Sequence, residues 1–188
     1  MYPVDRAGPR LRLRELQPDD TEALFAVYGD AQATEHMSFE PRSREQVSQI
    51  IDRAVQTATT DPRCEYVLAV ATQETSDVIG FAQLALDPHQ PQGATMGFAL
   101  RPDTWGAGHG HETVHQLLAL GFDDLGLHRI WGARSPLNTA TARTLTAAGL
   151  VEEGVIREHV RKGDAWRDSV VHAILDHEWA QKPRTSTA

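Results

Sequence analysis

The stretch Trp105-Gly106-Ala107-Gly108-His109-Gly110-His111-Glu112 joins a glycine-rich loop to the start of a helical pattern. Glycine adopts backbone angles that are closed to other residues, and it lets another molecule approach the main chain closely. The apolar spacing of Val114, Leu117 and Leu118 predicts that a helix follows at once. The start of a helix presents unpaired N–H groups and the positive end of its dipole. The stretch therefore predicts an anion site, best suited to phosphate.

The same stretch contains a second pattern, H-E-x-x-H, at His111, Glu112 and His115. Residues four apart share one face of a helix, so the two imidazoles could bind one zinc ion, as in zinc proteases. Two features count against this function: the pattern begins inside the loop, and the longer H-E-x-x-H-x-x-G-x-x-H motif is not completed. A zinc hydrolase stays open as an alternative.

Length and composition indicate one globular domain over residues 1–180, with a flexible polar tail at residues 181–188. The single cysteine, Cys64, excludes an intrachain disulfide and suits a reducing cytoplasm. The start of the chain has no apolar signal region, and no apolar run approaches the roughly 18 residues of a membrane span. The net charge of −8 argues against nucleic acid and is compatible with cationic amine substrates, although a merely soluble acidic surface explains it equally well. Either a monomer or a homodimer is expected.

Hydrophobic periodicity predicts interleaved strands and helices. The predicted order is β-α-α-β-β-β-α-β-α-β-β, with an irregular segment at residues 30–42 and the glycine-rich loop at the carboxyl end of a strand. Such an order implies an α/β or α+β fold, and open sheets of this kind bind ligands at that edge. The predicted strands cover residues 10–16, 66–71, 78–86, 94–100, 128–133, 150–160 and 166–179.

Four motifs in this order resemble the GNAT superfamily of N-acetyltransferases, and within it the RimJ/RimL-like branch of ribosomal-protein alanine N-acetyltransferases. The stretch from Trp105 to Glu112 is similar to the branch's W-G-x-G-[YH]-[AG]-x-E. The others are Gly126-Leu-His-Arg-Ile130, Asn138-Thr-Ala-Thr141 leading to Ala148-Gly-Leu150, and Glu153-Gly-Val-Ile-Arg-Glu-His159 with Trp166-Arg-Asp168. The resemblance covers nearly the whole chain, from about Leu11 to Trp179.

The resemblance implies a mixed central sheet that splays around acetyl-CoA, with helices on both faces and no metal. It places the pyrophosphate on the backbone N–H groups of residues 106–110 and lets a backbone N–H near residues 98–100 polarise the thioester carbonyl. Asn138 would reach into the splayed gap and bond the amide groups of the cofactor. The residues that the resemblance assigns to acetyl-CoA are Phe98, Ala99, Leu100, Trp105, Gly106, Ala107, Gly108, His109, Gly110, His111, Asn138 and Thr141.

The expected chemistry is direct attack of a primary amine on the thioester in a ternary complex, which needs a base and a partner for the leaving thiolate. Many relatives use a tyrosine as that partner, but the tyrosines here all lie in the first half of the chain. Thr141, at the serine position of the branch, is the best substitute. Thr95 stands where many relatives carry a glutamate base, so the base is open among His159, His36, Glu35, Asp168 and a water relay.

His159 is the predicted catalytic base, because it lies two residues past Arg157 on a predicted strand and a histidine titrates near neutral pH. An ordinary strand histidine is an equally good interpretation. Glu35, His36 and Arg157 are the predicted acceptor-binding residues, since the segment 30–42 and the C-terminal hairpin flank the thioester in the family. The acceptor is expected to be a protein N-terminus or a small amine. A non-catalytic CoA-binding or interaction domain is the other alternative. The one feature that favours it is Thr95, which stands in place of the glutamate base of many relatives.

Overall fold

The computed structural model of the protein describes residues 1–181, so the predicted tail lies outside the described residues except for Gln181. The strands are β1 (Asp5–Ala7), β2 (Leu11–Glu15), β3 (Glu65–Thr72), β4 (Val78–Asp87), β5 (Gln90–Leu100), β6 (Arg129–Arg134), β7 (Val151–Lys162) and β8 (Ala165–Leu175). The helices are α1 (Thr21–Tyr28), α2 (Ala31–Thr34), α3 (Arg44–Ala58), α4 (His109–Ala119), α5 (Thr139–Ala147) and α6 (Asp176–Ala180).

All eight strands belong to one mixed sheet with the order β1-β2-β3-β4-β5-β6-β8-β7. Only β5 and β6 run parallel, and they are connected by the glycine-rich loop and α4. A parallel pair needs such a crossover connection, whereas the other neighbours pair antiparallel. The mixed sheet with a central parallel pair confirms the predicted fold class.

Helices cover both faces of the sheet because alternate side chains of the central strands point to opposite sides. In β3, Leu68 and Val70 join one apolar core with the inner face of α4. Their neighbours Ala69 and Ala71 join a second core with α1 and α3. The strand is buried on both faces, so its sequence is a continuous apolar run.

Two elements in the first half of the chain were not expected from the sequence. The segment 30–42, predicted to be irregular, contains α2, whose first turn is capped by the Asp30 carboxylate. A short strand, β1, pairs with β2 at the edge of the sheet and was also not predicted. No helix within residues 1–181 has the length and apolar character needed to cross a membrane.

The end of the last strand differs as well. The strand predicted over residues 166–179 ends at Leu175, and α6 follows it. Glu178 accepts the N–H of Leu175 at 2.9 Å, and Trp179 donates its indole N–H to Asp123 at 3.0 Å. These contacts turn the chain back toward the end of α4, so the apolar Trp179 packs against the core without extending the strand.

Candidate active site

The central parallel strands separate beyond a short paired region. Residues 93–95 of β5 pair with residues 129–131 of β6, and the two strands diverge after Thr95. The main-chain groups of β5 alternate between its two neighbours. Arg101 donates its N–H to the carbonyl of Ile79 in β4 at 2.7 Å, so the N–H groups of Phe98 and Leu100 face the opposite side, toward the gap. The gap therefore has backbone donors and acceptors along one wall.

The glycine-rich loop lies at the end of this gap. Gly106 and Gly108 have φ angles of 79° and 81°, a left-handed conformation that side chains disfavour. Because of this path, the backbone N–H groups of residues 106–111 donate to no acceptor in the part of the chain that the structure describes. The unpaired donors include the first turn of α4, where the helix dipole is positive. The predicted anion-binding geometry is thus present.

Side chains fix the loop from both sides. Arg10 of the segment before β2 donates to the carbonyl of Ala107 at 2.7 Å. The indole of Trp105 donates to the carbonyl of Leu100 at 2.8 Å, and a ring nitrogen of His109 lies 3.2 Å from the carbonyl of Thr104. The loop is therefore held in its shape before any ligand binds, which reduces the ordering cost of binding.

Glu112 anchors the base of the loop rather than facing a metal. Its Oε1 accepts the N–H groups of Arg10 and Leu11, both at 2.8 Å, and its Oε2 accepts the Nε of Arg10 at 3.0 Å. Burial by itself would raise the pKa of Glu112, but these N–H donors and the Arg10 charge outweigh it and lower that pKa. The glutamate of the H-E-x-x-H pattern is thus already occupied. Among residues 1–181, no cluster of three or more histidine, cysteine or acidic side chains could hold a metal.

A cavity of about 460 Å³ lies between the loop, the end of β5, the N-terminus of α5 and the segment after α2. It brings together nearly all of the side chains that the sequence assigned to the cofactor, together with two that it assigned to the acceptor. The predicted residues along its wall are Glu35, His36, Phe98, Ala99, Leu100, Trp105, Gly106, Gly108, His109, Gly110, His111, Asn138 and Thr141. Ala107 lies outside the lining and contributes through its bond to Arg10.

A smaller cavity of about 100 Å³ opens on the gap from the side of β6. Its wall includes Met96 and Gly97 of β5 and residues 132–135 of β6 and beyond. It shares His36, Met37, Phe98, Asn138 and Thr141 with the larger cavity. These shared residues mark the place where the two spaces meet.

Asn138 has a structural bond that was not predicted. Its Oδ1 accepts the N–H of Thr141 at 3.0 Å and caps the first turn of α5. Asparagine is among the preferred N-cap residues for this reason. The cap fixes Asn138 and Thr141 relative to each other at the junction of the cavities, and it leaves the amide NH₂ of Asn138 for other partners.

Two predicted residues, Arg157 and His159, do not line either cavity. Both are exposed on β7, where the register with β8 shifts between Ile156 and Val160. Glu158 has a φ angle of 48°, and its N–H donates to Asp168 Oδ1 at 2.8 Å. The expected regular alternation of Arg157 and His159 on one strand face is therefore wrong, since a bulge interrupts the strand. Asp168, one of the candidate bases, accepts this N–H within the bulge.

Sequence reasoning missed Lys162, at the tip of the β7–β8 hairpin. Its ammonium donates to the carbonyls of Thr34 and Glu35 at 2.8 Å and 2.7 Å. The hairpin is thereby tied to the C-terminal end of α2, next to His36. In the sequence, Lys162 stands in a Lys-Gly-Asp turn that is typical of a solvated loop, so no local signal could reveal this contact.

Comparisons with known proteins agree with this geometry. Residues 10–151 match the family described as "Acetyltransferase (GNAT) domain". An uncharacterized N-acetyltransferase, YoaA, of Bacillus subtilis (strain 168) is 27% identical over 177 residues, covering 93% of this chain and 98% of that protein. The crystal structure of a GNAT-family acetyltransferase from Bacillus anthracis has a TM-score of 0.82 at 20% identity, covering 93% of this chain and 99% of the other. Spermidine N-acetyltransferase from Vibrio cholerae, solved with CoA and spermine, has a TM-score of 0.80 at 19% identity, covering 93% and 100%.

Proposed function

The chain belongs to the GNAT acetyltransferase family and is an acetyltransferase, and on that premise we propose that its domain of residues 1–180 transfers the acetyl group of acetyl-CoA to a primary amine. The transfer occurs by direct attack in a ternary complex. The observation that carries this proposal is the continuity of one cavity from the unpaired N–H groups of residues 106–111 to the gap beside Phe98 and Thr141.

The chain's own groups fit the parts of acetyl-CoA in order along this cavity. The N–H groups of the loop and of the first turn of α4 suit the pyrophosphate. Arg143 of α5 is exposed on the same cavity wall and suits a further phosphate, because guanidinium groups bind phosphate with several donors. The amide NH₂ of Asn138 and the gap-facing main chain of β5 suit the polar amides of the pantetheine arm. A Gly106 or Gly108 side chain would disturb the loop path on which the phosphate contacts depend.

At the reacting end, the N–H groups of Phe98 and Leu100 face the place of the thioester carbonyl. Donors aimed at a developing oxyanion stabilise it without reorganisation. The hydroxyl of Thr141 donates a hydrogen bond to the leaving sulfur. The C–N bond forms as the C–S bond breaks, the electron pair goes to sulfur, and the second amine proton passes to the thiolate.

The acceptor enters between the segment after α2 and the β7–β8 hairpin, where Glu35 and His36 lie on the cavity wall. The resemblance to RimJ/RimL-like enzymes favours a protein N-terminal amine, and the similarity to a spermidine N-acetyltransferase favours a polyamine. Both are primary amines, and the acidic net charge of −8 suits a cationic acceptor.

A thiol-release assay with acetyl-CoA tests the proposal. The panel comprises spermidine, spermine, peptides that begin with alanine or serine, and simple primary alkylamines, each assayed with and without a metal chelator. We expect thiol release with at least one amine, and acetyl-CoA binding to metal-free protein by calorimetry. Binding without turnover on any amine would favour a non-catalytic CoA-binding domain. Turnover lost in chelator and restored by zinc would favour a metal enzyme.

A further inference from the structure

The proposed reaction requires a proton acceptor, and the strand position where many relatives carry a glutamate holds Thr95. Thr95 directs its hydroxyl toward the carbonyl of Ala85 in β4, at 3.5 Å, which is away from the gap. A threonine hydroxyl is also too weakly basic to take a proton from an ammonium group. The base must therefore be sought among the titratable side chains on the two cavity walls.

Those side chains divide by position. His109 and His111 lie on the glycine-rich loop and the first turn of α4, at the phosphate end of the larger cavity. Glu35 lines the larger cavity but not the smaller one, and Arg134 lines the smaller cavity but not the larger one. His36 is the one titratable residue of the described chain that lines both cavities, alongside Phe98 and Thr141. It thus lies where an amine and the thioester would meet.

His172, a second histidine near the smaller cavity, already has a hydrogen-bond partner, Arg134. It is buried, and its Nε2 accepts the Nε of Arg134 at 3.0 Å. Burial, followed by the charge of Arg134, lowers the pKa of His172. His172 therefore acts as a neutral acceptor that orients Arg134 rather than as an exchangeable base.

The position of His36 is fixed by a contact from across the molecule. Lys162 bonds the carbonyls of Thr34 and Glu35, the two residues that precede His36. Thr34 is buried, and its hydroxyl bonds the carbonyl of Asp30 at 2.7 Å. The chain is thus held immediately before His36, while the imidazole itself is half-buried and reaches the cavities. A base must be held within hydrogen-bonding reach of its proton, and this arrangement supplies that restraint.

We propose that His36 is a catalytic residue that takes the ammonium proton of the acceptor amine, directly or through one water; this inference rests on the proposed acetyl transfer. The imidazole becomes imidazolium, and the freed nitrogen lone pair forms the new C–N bond. The proton then passes from His36 to solvent, so that each turnover releases one proton in all. Histidine suits this step because its charge changes within the physiological pH range.

The charged groups around His36 come from four elements. Glu35 adjoins it in the chain, and Lys162 approaches from β7 onto the carbonyl of Glu35. Arg134 faces the smaller cavity from β6, and Arg143 faces the larger cavity from α5. The wall formed by residues 96–100 of β5 carries no charged side chain. The charged groups near His36 are therefore one carboxylate and three cations. Among these groups, His36 is the one to which we assign the loss of rate at acid pH.

The test is the pH profile of kcat/KM for the most reactive amine of the panel, compared between wild type and His36→Gln. In wild type we expect kcat/KM to fall on the acid side of the profile, because a protonated base cannot take the ammonium proton. In His36→Gln we expect a fall of about 100-fold at neutral pH and a steady rise with pH, because only amine that is already free in solution reacts. His36→Asn serves as a second variant, and calorimetry with CoA shows whether each variant keeps its fold.

His89→Gln is the matched control, since His89 is exposed in the turn between β4 and β5, at the opposite end of β5 from the cavity. The His89→Gln variant should keep the acid limb of the wild-type pH profile. A second readout is the imidazole NMR signal of His36, identified by its loss in His36→Gln, which should shift when the amine is added to the CoA-bound protein. An unchanged acid limb in both His36 variants, or its loss in His159→Gln instead, overturns the inference while acetyl transfer stands. A wild type that releases no thiol with any amine overturns the proposed function and this inference together.

Discussion

The two ends of the cavity are built in different ways. At the phosphate end, residues 106–111 offer main-chain N–H groups whose arrangement depends on glycine backbone angles. At the acceptor end, side chains from α2 and the residues after it, β5 and α5 meet. Lys162 holds the end of α2 there through the carbonyl of Thr34, which is 128 positions away in the sequence. Under the proposed function, local backbone geometry binds acetyl-CoA, the substrate common to every turnover. The acceptor amine instead meets side chains whose arrangement depends on contacts between distant segments.

The largest expected effect comes from changing the backbone of the phosphate end. Gly106 has a φ angle of 79° and open space around it, so a side chain there meets no neighbour and acts only through the backbone. We expect Gly106→Val to weaken acetyl-CoA binding by about 100-fold, because left-handed geometry costs about 1–2 kcal/mol for an ordinary residue and more for a β-branched one. Isothermal calorimetry measures the affinity.

Gly126→Val is the matched control for this prediction. Gly126 also has a positive φ angle, 65°, and a Cβ added there would have no neighbour within 4 Å, but this glycine lies outside the cavity. The variant should lose stability to a similar degree while keeping its affinity for acetyl-CoA. Equal losses of affinity in both variants would show that strain acts through stability, and the contrast between the two ends would fail.

The second effect concerns the base of the loop. In Glu112→Gln, an amide NH₂ replaces the Oε2 that accepts the Nε of Arg10, so a donor faces a donor. We expect the free energy of unfolding at pH 7 to fall by about 2 kcal/mol, within the range for hydrogen bonds to charged groups. The folded-state pKa of Glu112 is lowered, so its contribution is present above the ordinary carboxyl range and is lost as pH falls through the folded pKa. Urea unfolding at pH 7 and near pH 3 measures both.

Glu153→Gln is the corresponding control. Glu153 pairs with Arg129 at the surface, where such pairs contribute about 0–1 kcal/mol. The difference in the free energy of unfolding between wild type and Glu112→Gln should shrink toward zero near pH 3. A difference that is as large near pH 3 as at pH 7 would show that shape rather than charge holds the loop to β2.

The sequence predicted the glycine-rich loop and the helix that begins directly after it, because three glycines at fixed spacing and a helix start are adjacent in the chain. The order of strands and helices followed from periodicity for the same reason. The acceptor end was predicted only in part. The bulge that displaces Arg157 and His159 depends on Asp168 of the neighbouring strand, and the contact of Lys162 with α2 depends on the tertiary fold. Neither leaves a local pattern that periodicity could detect.

The third effect lies where the two ends meet. Thr141→Ala removes the hydroxyl that we place on the leaving sulfur, whereas its backbone bond to Asn138 remains possible. We expect kcat to fall by about 10-fold with little change in acetyl-CoA affinity, since the interaction strengthens only as charge develops on sulfur. Thr141→Ser keeps a hydroxyl and should restore most of the rate. Steady-state kinetics together with calorimetry separate turnover from binding, and an unchanged kcat in Thr141→Ala would remove this residue as the thiolate partner.

The smallest expected effect belongs to the acceptor end alone. Lys162→Met removes the donor that holds the carbonyls of Thr34 and Glu35, while the long apolar stem remains. Losing bonds worth about 1 kcal/mol should raise the KM for the acceptor amine by about 5-fold. The KM for acetyl-CoA should not change, because Lys162 bonds the end of α2 and not the glycine-rich loop.

Two further variants distinguish positioning from charge. Lys162→Arg keeps a cationic donor and should recover most of the acceptor affinity. Arg161→Met removes a neighbouring positive charge, which lies 3.7 Å from Asp164, and should leave both KM values unchanged. If Arg161→Met raises the acceptor KM as much as Lys162→Met does, the hairpin acts through its overall charge. In that case the acceptor end resembles the phosphate end in being an electrostatic site, and its dependence on a single long-range contact is refuted.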